Sequence, residues 1–112
     1  MKIIDVKNAQ RVETPHKAAV RRLYDTPDAQ AMHITLQPGE ALRPHITPVD
    51  VFFYVLEGTG VVQIGDEKKA VSADHLVESP KGIVHCWFNE SAEVFRVLVV
   101  KAPKPASKAQ IL

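Results

Sequence analysis

Cysteine is nearly absent: Cys86 stands alone in 112 residues. That excludes an internal disulfide and fits a reducing cytoplasm. An excess of one charge is missing too. The formal balance is +1, so the composition points to neither nucleic acid nor an anionic membrane surface as partner. No apolar stretch is long enough to span a bilayer, and the opening "MKIIDVKNAQ" lacks the apolar core of a signal peptide. Helical periodicity never runs beyond about two turns, and no internal repeat is present. What remains is a soluble globular chain of one domain, 46 % hydrophobic, enough for a single core.

What the chain does have is punctuation and short apolar runs. Eight prolines and five glycines favour short strands and turns over long helices. Runs rich in β-branched and aromatic residues predict strands at 2–6, 19–24, 31–36, 51–57, 60–64, 69–71, 75–78, 85–89 and 94–101. Clusters such as "QPGE", "EGTG" and "SPKG" supply the reversals between them. The predicted class is all-β, a sandwich or barrel. Two runs, "VFFYVL" and "VFRVLVV", are apolar at nearly every position, which predicts cover on both faces. In a barrel this small only the inner face meets the core, so the outer face needs a shield, and a homodimer is the commonest solution. The tail "KAPKPASKAQIL" reads as an arm. Residues 1–102 are expected to form the domain and residues 103–112 a C-terminal arm.

Two segments carry a resemblance to a known family. In the first, Gly39 is followed after five residues by His45, Ile46 and Thr47, then by Val51 and Gly58. In the second come Asp74, Pro80-Lys81-Gly82, His85 and Asn89. This spacing resembles the two motifs of the cupins, over roughly residues 30–100. The resemblance implies a double-stranded β-helix, the jelly-roll barrel. In cupins with complete motifs, three histidines and a glutamate hold a divalent metal inside the barrel. Carried over, His45 and His85 are candidate metal ligands, while Thr47 stands in place of a histidine, Val51 in place of the glutamate and Asp74 in place of a glycine.

Two imidazoles leave the metal question open between Fe, Mn, Ni, Cu or Zn and no metal, because stable catalytic sites use about three protein ligands. Asp50 would complete a two-histidine, one-carboxylate set. Its neighbour Val51 holds the ligand position, however, so Asp50 turns inward only if a bulge near Pro48 resets the strand. Side chains two apart on a strand share a face. Thr47, Val51, Phe53, Val55 and Trp87, with Gln63, are thus expected to line an apolar pocket around the histidine pair. The plainer alternative is that they simply fill a small barrel. His33 is expected to face outward, on the surface or at a dimer contact, His75 to lie near the surface and His16 in a loop. Cys86 should face away from His85, and Arg21 or Arg22 could offer a guanidinium to an anion at the mouth.

Three roles follow. The first is a small-molecule pocket at His45 and His85, with dioxygenase- or isomerase-like chemistry if metal is bound. The second is a metal-free module that binds a small ligand. The third is an inert barrel that acts through its dimer surface. No residue is assigned a catalytic role from sequence.

Overall fold

The computed structural model describes residues 1–16 and 18–112. A turn of 3-10 helix at Val6–Asn8 leads into β1 (Gln10–Val12), β2 (Ala19–Thr26) and β3 (Ala29–Leu36). Then follow β4 (His45–Ile46), β5 (Val51–Glu57), β6 (Thr59–Ile64), β7 (Glu67–Ser72) and β8 (Leu76–Ser79). Last come β9 (His85–Phe88), β10 (Phe95–Lys101) and β11 (Gln110–Ile111). The strands form two antiparallel sheets, in the orders β1-β2-β3-β10-β5-β8 and β11-β4-β9-β6-β7. This is the jelly-roll double-stranded β-helix.

Register decides which side chains share the lumen, since alternate residues face it. Across the larger sheet, Val20, Ile34, Val97 and Val55 lie in one row. Met32, Val99, Phe53 and Val77 lie in the next. The third row, at the end of the barrel, is Gln30, Lys101, Val51 and Ser79. The smaller sheet contributes Val62 beside Trp87, and then Ile64, His85 and His45 abreast. The first two rows and Trp87 form the core, with Val55, Val97, Trp87, Phe95 and Leu36 fully buried. Each such side chain stabilises the fold by roughly 1.5–3 kcal/mol through burial. The third row is where the lumen turns polar.

The expected strand 2–6 does not form. Residues 2–5 are irregular, and the Asp5 carboxylate accepts from the Lys7 N–H at 3.0 Å. That local cap favours a helical turn over extension. Nor does the tail run free as an arm. Gln110 and Ile111 pair with Ile46 and His45, adding β11 to the edge of the second sheet. His33 faces outward as expected, but not onto a surface. It is 2 % exposed and accepts from Arg96 Nε at 3.1 Å, with Arg96 also pairing Glu57 at 3.2 Å. The guanidinium lies against the imidazole and shields it. On the same outer face Phe52, Tyr54, Leu98 and Val100 remain half-buried in the single chain.

Candidate functional site

Pro44 and Pro48, which have no N–H to donate, bracket β4 and keep it to a strand of two residues. It pairs with β9 at a single position, His45 opposite His85. The two rings meet edge to face, with centroids 4.5 Å apart at 75°, and their Nε2 atoms are 3.0 Å apart. His85 is 2 % exposed, and His45 is half-buried.

The partners fix the protons. His45 Nδ1 lies 2.7 Å from the Arg43 carbonyl, which can only accept, so Nδ1 carries the hydrogen and the neutral ring's Nε2 is an acceptor. His85 Nε2–H therefore donates to His45 Nε2. That leaves His85 Nδ1 to accept from Ser79 Oγ–H at 2.6 Å. Thr47 Oγ1, 3.3 Å from His85 Nε2, shares the same hydrogen. The result is a directed chain from Ser79 through His85 and His45 to the Arg43 carbonyl, with both rings neutral. Electrostatics agrees. Burial, followed by the charges of His45, Lys101 and His16, pushes His85 down to about 3. Burial also lowers His45, against the opposing pull of the Arg43 carbonyl.

Two further residues join this cluster that the sequence does not single out as part of the site. His16 sits in the β1–β2 loop, its ring 5.0 Å from that of His45. Its Nδ1 accepts from the Arg43 N–H at 2.7 Å, so its own proton is on Nε2. Burial, then His45, Arg43 and Lys101, pushes it down to about 4. Lys101 is the second. It follows Phe95, Val97 and Val99 on the inward face of β10 and stands opposite Val51. Burial lowers its ammonium, and among the described residues it makes no ion pair. The alternation of β10 carries a signal for Lys101, whereas nothing local announces His16 or the pairing of Ser79 with Val51.

The expected pocket residues are tightly packed. Thr47, Val51, Phe53, Val55 and Trp87 are all within 4 % exposure. Phe53 contacts the edges of both His85 and Trp87, at 5.3 and 5.5 Å between centroids. Trp87 stacks in turn on Phe95 at 5.0 Å, so side chains fill the lumen beneath the histidines. Gln63 pairs in register with Cys86 and alternates with Val62, which puts it on the face away from Trp87, where its amide donates to the Gly65 carbonyl. Asp50 is exposed, and its carboxylate accepts from the Lys81 N–H at 2.9 Å. Cys86 is buried on the face opposite His85, and burial raises its thiol. Arg21 donates to the Ala9 carbonyl, and Arg22 is engaged with Gln10 and Asp25. His75 is exposed beside a turn. A cavity of about 870 Å³ is lined by His16, Glu13 and Glu40 among others. A second, of about 410 Å³, is lined by Phe52, Glu78, Ser79 and Val100 among others. His45 and His85 line neither.

This donor set does not fit a resident divalent metal. It offers two imidazoles, and the next donor, Thr47, is a neutral hydroxyl. Val51 provides an isopropyl group where a carboxylate would be needed, and Asp50 is tied to Lys81. Among the described residues no group of three histidine, cysteine or carboxylate side chains could hold a metal. His16 is no substitute, because its Nδ1 lone pair is already engaged. Lys101, without an ion pair among the described residues, adds positive charge that both imidazoles feel and that opposes a dication there.

A family model described as "Cupin domain" matches residues 32–101. No curated protein matches the chain. Among solved structures, the TT1209 protein of Thermus thermophilus is 33 % identical, with a TM-score of 0.80 over 94 % of this chain and 100 % of that one. The polyketide cyclase RemF of Streptomyces resistomycificus shares the fold at 18 % identity and a TM-score of 0.85, over 100 % and 85 % of the two chains. KdgF of a Halomonas species does so at 18 % and 0.80, over 92 % and 95 %. The jelly roll, the spacing of its two motifs and these matches lead to one assignment: the chain belongs to the cupin family.

Proposed function

We propose that this cupin is a metal-free module that binds a small organic molecule at the mouth of its barrel, against the rings of the His45–His85 pair, whose nitrogens are taken up by each other, by Ser79 and by the Arg43 carbonyl. The observation that carries this reading is the direct 3.0 Å contact between the two Nε2 atoms. A hydrogen bond there uses the lone pair a metal would need, and Ser79 and Arg43 hold both rings in the tautomers that make it. Because Phe53 and Trp87 fill the lumen below, the site is shallow, and its ligand sits against His45, the less buried ring. We further propose that the module works as a homodimer through the outer face bearing Phe52, Tyr54, Leu98 and Val100, which the single chain leaves half-covered.

The test compares wild type with a His45→Ala/His85→Ala double variant, both purified without chelators. Elemental analysis should find well under one metal per chain in each. Small organic acids and amides should raise the melting temperature of wild type only, since a ligand specific for the native state stabilises it by about 2.7 kcal/mol at a hundred times its Kd. Stoichiometric metal in wild type that disappears in the variant would refute the reading.

A further inference from the structure

We infer that the mouth of the barrel is built for an anion, and that its ligand is a small carboxylate held by Lys101 and the His16 ring beside the His45–His85 pair. The inference rests on the reading above and specifies its ligand. It stands first on the third row of the larger sheet. Lys101 occupies an inward position, opposite Val51 on one side and Gln30 on the other, in a lumen whose other rows are apolar. A half-buried ammonium facing neutral groups loses hydration without return, which is tolerated where a counter-ion completes the site. It stands secondly on the donors left over. Lys101 makes no ion pair among the described residues. His16 uses Nδ1 to accept from Arg43 and so turns an Nε2–H donor to whatever lies beside it. A carboxylate takes two such donors at once.

The charged groups around the mouth are consistent with this. Lys101 stands between Gln30 of β3 and Val51 of β5, with Ser79 of β8 next along the row, and its charge reaches His45, His85 and His16; none of these is acidic. Arg43 adds a further positive charge close to His16. Nearby carboxylates are committed elsewhere. Asp50 bonds to Lys81 N–H, Glu40 to Gln37 N–H at 2.7 Å, and Asp25 to Lys104 at 2.9 Å. Glu13 and Glu78 are exposed and screened by solvent. His45, His85, His16 and Lys101 are all held below their ordinary values.

Side-chain 1H–15N NMR of the full chain tests this with two matched pairs, benzoate against benzamide and acetate against acetamide, at constant ionic strength. Chloride serves as the control anion. The carboxylates should shift the His16 and His45 resonances, with each amide binding about tenfold or more weakly. Lys101→Met should weaken the carboxylates by a similar factor, while Lys101→Arg keeps the charge and most of the affinity. Amides that bind as well as the acids would overturn the anion while leaving the pocket standing. Equal shifts from chloride would overturn the carboxylate. No shift from any probe would overturn both the ligand and the pocket.

Discussion

The two ends of this barrel treat their polar groups differently. At one end Asn89, 1 % exposed, is fully answered. Its amide donates to the Leu36 and Glu93 carbonyls at 2.9 and 2.8 Å, and its oxygen accepts from the Ser91 N–H and hydroxyl. Nearby Gly58 has φ +79°, and a Cβ there would run into the Val94 carbonyl. At the other end Lys101 has no counter-ion among the described residues, and two imidazoles hydrogen-bond to each other. The contrast separates the motif positions into two kinds. Gly58 and Asn89 close the jelly roll, and the fold needs them whatever the protein binds. The places held here by Thr47 and Val51 are those where the cupin resemblance implies metal ligands, and this chain fills them with a hydroxyl that reaches His85 and a packed valine.

The comparison predicts graded effects. The largest lie away from the mouth. Trp87→Ala removes the ring wedged between Phe53 and Phe95 and should cost about 4 kcal/mol in urea denaturation. Asn89→Ala leaves the Leu36 and Glu93 carbonyls unanswered and should cost about 3 kcal/mol. Losses below about 1 kcal/mol in either would erase the distinction between the two ends.

His85→Ala is intermediate. It strands the buried Ser79 hydroxyl and opens a small void, for an expected loss of about 2 kcal/mol. The same residue gives stability its pH dependence. His85 and His16 are held in the fold at about 3 and about 4, against 6.5 unfolded, so between those values the unfolded chain binds more protons. Their contribution is intact above about pH 6.5 and is lost as the pH falls towards about 3. The urea midpoint should decline over that window, and His85→Gln should flatten the decline. A midpoint unchanged between about pH 7 and pH 4 would contradict the neutral pair.

The smallest effect belongs to Lys101→Met. Replacing a half-buried ammonium that has no ion pair among the described residues with an apolar chain of similar length should leave stability unchanged or raise it by up to about 1 kcal/mol. A loss above about 1 kcal/mol would show that Lys101 has a protein partner and is not waiting for a ligand.

Much of the frame is legible in the sequence because alternation and turn chemistry are local. The run 51–57 corresponds to β5 end for end, and the cupin resemblance read over residues 30–100 nearly coincides with the family match at 32–101. Parity puts Thr47 on the same side as His45, and it reaches His85 there. The site is less legible because its geometry depends on which strands meet. Ser79 reads as the start of a turn, yet the β5–β8 register carries it under His85. His16 reads as a loop residue, and only the fold brings that loop to Arg43. Residues 110–111 lack any strand signature of their own and pair because β4 presents a free edge. Lys101 is within reach of sequence reasoning, two residues beyond Val99, but a lysine at a strand end is ordinarily a surface residue.

The proposed function depends on the hydrogen bond between His45 and His85. Side-chain 15N NMR, recorded before and after exhaustive chelation and again with one equivalent of zinc, tests it most directly. One unchanging pattern is expected, with the proton on Nδ1 of His45 and on Nε2 of His85. Both Nε2 signals moving together to metal-bound positions, with chelation reversing the shift, would contradict it.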